Sequence, residues 1–575
     1  MKRQLLTFLL LLCTVLPALS QGDSSGQHTI GYCTDDLSGA EAIGLGDGQE
    51  RVSAAIHLPR TLMMRYQGTR ITRLRFAVRN GLQDASVWIR SSLTTSSRVV
   101  QSVSQLSDGW NEVVLNQPLT VDGEELYIGY TATQPAGYSG ILAAGTGTEH
   151  TSWLAAANQW ADYHADGLGV LFIEAVAEGS LLQRAATVIS LQADRELYAT
   201  DATMTVSGEV ENLGTEAIDG CSLQFLVDGQ LVTTHDITTT LQPYAVDSFR
   251  QAVSLTGLAE GAHSLEVRPA AAATTQEAMQ LPFYILATPY PRTLLLEHFT
   301  SLPCINCPPV DEMLEEVVSQ RSDVAWVSHH VGYKEDEFTL SGSLPLVRFG
   351  VNGNPYIMLD RTTLDDVQPA FTIGNYSADF VQGIFQYAAS MPAIAQLSAT
   401  AVLQEGQLHI GISGEGKSFL ADYMPRAALH VYLVEDSVEA EGTQAGNAGK
   451  RLHDNILRAI VTPARGALPQ WQAGDGRLTF STQYAIDHDA AWNPQHLRVV
   501  VFLAAPAPTG APYPTGPVLN TVQSRLADTS AIRTVSERQN GGDALWYSPD
   551  GRRTGKPAKG GLYIKNGKKI IYQKP

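Results

Sequence analysis

At 575 residues the chain is long enough for several domains. Only 17% of its residues are charged and the net charge is −19, which argues against nucleic acid and against an anionic membrane surface as partners. The charge is uneven: residues 541–575 hold eight Lys/Arg against two Asp/Glu, a local +6 that leaves −25 on the rest, so the tail reads as a module of its own. The N-terminus, "MKRQLLTFLLLLCTVLPALSQ", places Lys2 and Arg3 before an apolar run from Leu5 to Leu16 and ends in the small-residue site Ala18-Leu19-Ser20. This predicts a removable signal peptide over residues 1–20, too short in its apolar core to span a bilayer comfortably. Leu12 is too bulky for lipoprotein processing at Cys13. No later apolar run suits a membrane helix, so the mature chain is expected outside the cytoplasm, where disulfides persist.

Residues 27–180 read as all-β. "RITRLRFAVRN", "DASVWIRSS", "NEVVLNQPLTVD" and "ELYIGYTAT" alternate or run apolar, with Gly, Asn and Asp between them. The spacing predicts a jelly-roll-like β-sandwich. The segment "DGWNEVVLNQPLTVDGEELYIGYTAT" resembles sandwich modules of Bacteroidetes surface proteins, which implies adhesion or carbohydrate binding at the level of fold analogy. Trp110, Trp153 and Trp160 are sugar-site candidates, with burial in the core as the plainer expectation. Residues 181–286, with a hairpin signal at Asp228-Gly229 and a turn at Asn212-Leu213-Gly214, resemble Ig-like spacer modules and predict a seven-strand sandwich acting as a stalk. Cys33 and Cys221 fall in different modules and are expected as buried thiols.

At residue 290 the pattern changes. "TLLLEHFT" is a near-continuous apolar strand, as a strand covered on both faces requires. A loop with Cys304 and Cys307 follows, then "PPVDEMLEEVVSQR", whose Val310, Met313, Leu314, Val317 and Val318 share one helical stripe. Pro308 and Pro309 suit a first helical turn. "VAWVSHHVGY" is the next buried strand, "VNGNPYIMLD" sets Pro355 before another, and "SADFVQGIFQYAASM" closes with an amphipathic helix. This order resembles the thioredoxin fold and assigns residues 290–387 to a thioredoxin-like domain. The resemblance implies Cys304 as nucleophile at the helix start, Cys307 as resolving thiol, a cis-Pro355 that holds substrate, and His298 in the place of the buried proton-transfer acid. Glu297 is the alternative acid, which strand alternation points to the other face. The usual Trp-Cys-Gly-Pro-Cys loop is absent, and Ile305 and Asn306 add no charge to activate Cys304. The pair therefore also reads as a structural disulfide. A third reading joins it to His329 or His330 in a copper or zinc site.

Residues 388–532 form a further β-rich module. From Thr293 to about Ala527 the segments "LLLEHFT", "CINCPP", "GNPYIMLDR", "VYLVEDSV", "LHDNILR" and "VLNTV", with Gln444, resemble the Omp28-related outer-membrane family. That resemblance implies an exported surface protein, adhesive in some relatives. His453, Asn455 and Arg458 lie in its motif, as a polar site or as residues that fix a loop. In the tail, "YSPDG", "GLYI" and the Lys-rich last strand resemble the type IX secretion C-terminal sorting domain of Bacteroidetes, assigned to residues 541–575. The expected whole is mostly β and multidomain: jelly-roll-like sandwich, Ig-like sandwich, α/β thioredoxin-like domain, a further sandwich-like domain and a small β sorting domain. Two functions follow: a surface binding or adhesion protein with a host protein or glycan as ligand, or an extracytoplasmic thiol–disulfide oxidoreductase acting on exported disulfide-bearing proteins. No nucleotide loop, Ser/His/Asp spacing or zinc-protease helix is present, and no cofactor is expected.

Overall fold

The computed structural model describes residues 26–270, 278–363, 369–374 and 376–527, and in the tail the strands 546–547, 553–554, 561–565 and 568–572. The signal peptide expected over 1–20 lies outside the described residues. The chain is mostly β, built of many antiparallel sheets, and divides into two compact units: residues 1–258 with 263–283, and 259–262 with 284–575. Among the described residues no helix is long and apolar enough to cross a membrane.

The first unit begins with two facing sheets of seven and six strands. The strand Arg70–Val78 shows how the sequence builds them. Ile71, Leu74, Phe76 and Val78 are all buried in the shared core with Ile56, Ile128 and Tyr130. The alternation skips a residue between Ile71 and Leu74, and the pairing with Gly109–Thr120 shifts register there, between Ile71 and Arg73. The bulge restores the inward phase of the side chains. The second module of this unit has sheets of three and five strands. That is eight strands where seven were expected, because the short segment Leu197–Ala199 pairs at the edge of the larger sheet. Its hairpin turns at Asp228 (φ 49°) and Gly229 (φ 79°), both in the left-handed region that a two-residue turn demands.

The second unit is organised on one mixed sheet. Its strands are β1 (Leu294–Phe299), β2 (Val324–His329), β3 (Tyr356–Leu359), β4 (Ala428–Glu435), β5 (Ile456–Ile460), β6 (Leu497–Pro506) and β7 (Thr515–Arg525), in the order β3-β1-β2-β5-β4-β6-β7. β1 and β2 are parallel and every residue of both is buried, as their unbroken apolar runs require. Helices α1 (Cys307–Ser319) and α2 (Ala378–Ser390) cover Leu294, Leu296 and Ile357 through Val310, Leu314, Val317, Val381 and Phe385. Ser377 starts α2 by accepting the Phe380 N–H on its hydroxyl. A four-stranded antiparallel sheet packs Ile410, Ile412 and Phe480 onto Leu429, Val431 and Val501 of β4 and β6. The boundary drawn at 387/388 therefore cuts through one sheet: β1 to β3 come from before it and β4 to β7 from after it. The tail strands form a separate four-stranded antiparallel sheet, with Lys565 opposite Lys568.

Candidate functional site

Cys304 and Cys307 are joined in a disulfide with Cα atoms 5.5 Å apart. Helix α1 begins at Cys307, so Cys304 lies ahead of the first turn, its N–H donating to Ser301 O at 3.1 Å. This changes the electrostatics expected for Cys304. A helix start stabilises a thiolate through its free N–H groups, and here Pro308 and Pro309, directly after Cys307, supply none.

The pair is also covered. Cys304 is 4% exposed and Cys307 is fully buried. The cover is the loop 440–447, far away in sequence. Gln444, itself buried, donates from Nε2 to Cys304 O at 3.0 Å, and the Ala445 N–H donates to Leu302 O at 2.8 Å. Gly446 takes φ +80° against the Ile305 carbonyl, where a Cβ would come within 2.7 Å. From below, Asp336 Oδ2 accepts the Leu302 N–H at 2.7 Å and His330 Nδ1 at 2.7 Å. Burial pushes the Asp336 carboxyl up, but the His330 hydrogen bond and charge and two backbone N–H groups outweigh it and hold it below the ordinary range. Asp336 and the Gln444 loop were missed by sequence reasoning as parts of this site, although Gln444 stands in the family resemblance and two glycines, Gly442 and Gly446, flank it.

The Asn354–Pro355 peptide is cis, as the resemblance implied. Asn354 Nδ2 donates to Ser301 Oγ at 3.1 Å, which ties the Pro355 loop to the cysteine loop. His298 and Glu297 face opposite sides of β1, as alternation required. His298 is 1% exposed and lies 3.6 Å from Asp311 Oδ1, on the first turns of α1, whose Oδ2 meets Lys450 Nζ at 2.9 Å. Burial, aided by the charges of His330 and Lys450 and opposed by Asp311, pushes His298 down to about 4. It is neutral at pH 7, so the near-neutral acid/base role expected of it meets a ring that gives up its proton well below that range. His453 is pushed down to about 4 by burial and by Lys450.

These side chains bound a small polar pocket whose wall includes Thr300, Asp311, Trp326, His330, Lys450 and His453. Three of the residues on this wall carry a buried nitrogen with no hydrogen-bond partner, Nε2 of His330 and His453 and Nε1 of Trp326, as does His298 at Nε2. The other residues proposed with His453 have structural partners. Asn455 accepts Arg498 Nη2 on Oδ1 at 2.7 Å, and Arg458 donates to Glu435 Oε2 at 2.6 Å. His329 and His330 diverge. His329 bonds Ser343 Oγ at 2.9 Å and lies 3.3 Å from Glu297, while His330 turns to Asp336. Among the described residues no group of three or more His, Cys, Asp or Glu is placed to hold a metal ion.

In the first unit Trp110 belongs to the seven-stranded sheet and Trp153 and Trp160 to the six-stranded one, so the three line no common site. All three are half-buried rather than fully buried. Each is held locally, Trp110 Nε1 by Asp35 O, Trp153 Nε1 by Glu149 O, and Trp160 edge-on to Trp88. Cys221 is buried and Cys33 half-buried, both as free thiols. Burial raises both above the ordinary thiol range, and Glu174 adds to the rise at Cys33.

The sequence matches no protein-family model and no curated protein. Among solved structures, HBP35 of Porphyromonas gingivalis is similar over 49% of this chain and 99% of its own, at 16% identity and a TM-score of 0.35. The CARDB domain of PF1109 from Pyrococcus furiosus is similar over 19% of this chain and 100% of its own, at 13% identity and a TM-score of 0.16. A putative cell surface protein domain from Methanosarcina acetivorans is similar over 18% and 94%, at 22% identity and a TM-score of 0.16. Similarities of this size carry no argument about what the chain does.

Proposed function

We propose that the chain is an exported cell-surface or outer-membrane-associated protein of the Omp28-related type, a binding protein built around a thioredoxin-like unit whose disulfide is a staple. The observation that carries this is the cover on the pair: Cys304 is 4% exposed, with its carbonyl held by Gln444. A thiolate nucleophile needs access and a source of positive potential, and Pro308 and Pro309 remove N–H groups that would give it. The reduction potential of Cys304–Cys307 in thiol/disulfide buffers tests the reading. A value below roughly −300 mV marks a structural disulfide, and one between roughly −270 and −120 mV, the span of working thioredoxin-fold enzymes, overturns it.

The second reading, thiol–disulfide exchange, rests on one feature that a staple does not need: cis-Pro355 linked through Asn354 to the cysteine loop. In that reading Cys304 attacks a substrate disulfide, one substrate sulfur leaves as a thiolate, and Cys307 attacks the mixed disulfide to release the second. Trapping of a partner by Cys307→Ser supports it. Export through the type IX machinery rests on the leader and the basic tail. Deleting residues 541–575 is expected to leave the chain in the periplasm, inaccessible to protease added to intact cells, and surface display of the truncated chain refutes the assignment. The ligand of the binding reading is a host protein or glycan, held by the β-sandwich modules.

A further inference from the structure

β2 loses its neighbour on the side away from β1. Its pairing with β5 is one residue long, Ser328 with Ile456. Beyond that point side chains replace a strand: Arg498 Nη2 donates to Trp326 O at 2.8 Å and Gln523 Nε2 donates to Val324 O at 3.1 Å. Where the strands part, a cleft of about 380 Å³ opens to solvent. Its wall includes Arg321, Arg498, Arg525, Trp326, Asn455 and Asp436.

The chemistry of that wall is one-sided. Asp436 is shared by Arg498 and by Arg525, the latter at 3.2 Å, and Arg321 pairs with Asp323 at 2.6 Å. Three guanidiniums against two carboxylates leave a local positive charge on a chain of net charge −19. Trp326 is 7% exposed and its Nε1–H has no acceptor. The Arg525 side chain is 64% exposed and makes one ion pair, so most of its planar fork is open at the mouth. Val318 and Val324 add apolar wall. Donors are in surplus, positive charge is in surplus, and a patch of apolar surface lies beside them, which is the lining that a small organic anion requires.

We propose that this cleft binds an oxyanion, a carboxylate or a phosphate, carried on a ligand of about monosaccharide size. Arg525 engages it at the mouth, over a wall that Arg498 and Trp326 share. The cleft takes Val318 and Arg321 from the C-terminal end of α1, while the disulfide stands at the other end, so the proposal is independent of what the cysteines do. The test is calorimetric titration of the full chain with glucuronate, with inorganic phosphate and with glucose as the neutral control. Saturable binding of either anion and none of glucose is expected, weakened about tenfold by Arg525→Ala, partly restored by Arg525→Lys, and reduced by added salt. Binding of glucuronate without phosphate assigns a carboxylate, and the reverse assigns a phosphate. Because Arg525 is exposed, its substitution leaves the fold intact. The Cys304→Ser, Cys307→Ser variant should bind as before. Failure of both anions to bind, equal binding of glucose, or full affinity in Arg525→Ala overturns the proposal.

Discussion

Glu297 and His298 are adjacent on β1, and the two faces of the sheet differ in how they treat buried charge. On the Glu297 side every strong charge has a partner. Arg361 donates to both carboxylate oxygens at 2.7 Å, to Thr515 Oγ1 at 2.6 Å and to Tyr432 Oη at 3.1 Å, all without exposure. Arg361 and the surrounding donors bring Glu297, which burial alone would raise, down to about 2. Imidazole nitrogens without a partner are found on both sides, Nε2 of His298, His330 and His453 on one and Nε2 of His329 and His430 on the other, but the paired guanidinium and carboxylate belong to the Glu297 side. A saturated network fixes which strands meet, because β1, β4 and β7 and the loop after β3 all contribute to it. A buried nitrogen left without a partner costs stability instead. The contrast separates a structural core from a candidate site within one strand.

The largest effect tests the Glu297–Arg361 network. Arg361→Met leaves Glu297 buried and unpaired and should destabilise the second unit by about 3–5 kcal/mol in urea unfolding of the full chain, while Glu297→Met with Arg361→Met should recover most of the loss. A single variant that costs under about 1 kcal/mol would mean that the pair is not the anchor of the sheet.

Acid separates the two faces next. His298 has a folded value of about 4 against an ordinary 6.5. Above 6.5 neither state holds the proton. Between 6.5 and about 4 the unfolded chain takes it up and the folded chain does not, so stability falls, by about 3 kcal/mol for His298 alone, with His453 acting in the same direction. Glu297, depressed from 4.5 to about 2, stabilises the fold above 4.5, and that contribution drains away only as pH falls toward 2. Unfolding measured from pH 7 down should therefore lose stability in two stages, the buried histidines of both faces first, since burial also pushes His430 down to about 3. His298→Asn should flatten the upper stage and spare the lower. A stability profile that is level from 6.5 to 4.5 would contradict the burial of neutral rings.

Much of this was legible in the sequence, for physical reasons that can be named. β1 and β2 declared themselves because strands buried on both faces have no polar alternation. Pro355 and the cysteine pair were legible because a motif fixes their setting, and the opposed faces of Glu297 and His298 because the strand period is two. What escaped depends on contacts between distant residues. Gln444 meets Cys304 across 140 positions, and no local pattern foretells that the pair is covered. The seam between β2 and β5 is a single residue pair, too short to leave a signal, and so the domain boundary was drawn through a continuous sheet. The depressed value of His298 follows from burial beside Lys450, which no spacing reveals.

A third experiment weighs the staple itself. Replacing both cysteines by alanine removes a loop closure of only a few residues, worth about 2 kcal/mol in the chain-entropy account. A binding function that survives this loss would fit the staple, and a function abolished in a variant that remains folded would fit exchange chemistry.

The smallest expected effects lie at the cover, where two substitutions act on one contact from opposite sides. Gly446→Ala puts a Cβ at φ +80° and within 2.7 Å of the Ile305 carbonyl. The backbone strain alone should cost about 1–2 kcal/mol. Relief requires the loop to lift, which should speed reduction of the disulfide by a small thiol such as dithiothreitol. Ile305 is 67% exposed beside the pair, so Ile305→Ala should change stability by no more than about 0.5 kcal/mol. It should leave the small-thiol rate unchanged, because Gln444 and Ala445 still hold the loop. If Ile305→Ala slows reduction by a protein reductant but not by dithiothreitol, the exposed side chain is a docking point and the pair belongs to exchange chemistry. If both rates are unchanged, the cover rather than Ile305 governs access to Cys304, as a buried staple requires.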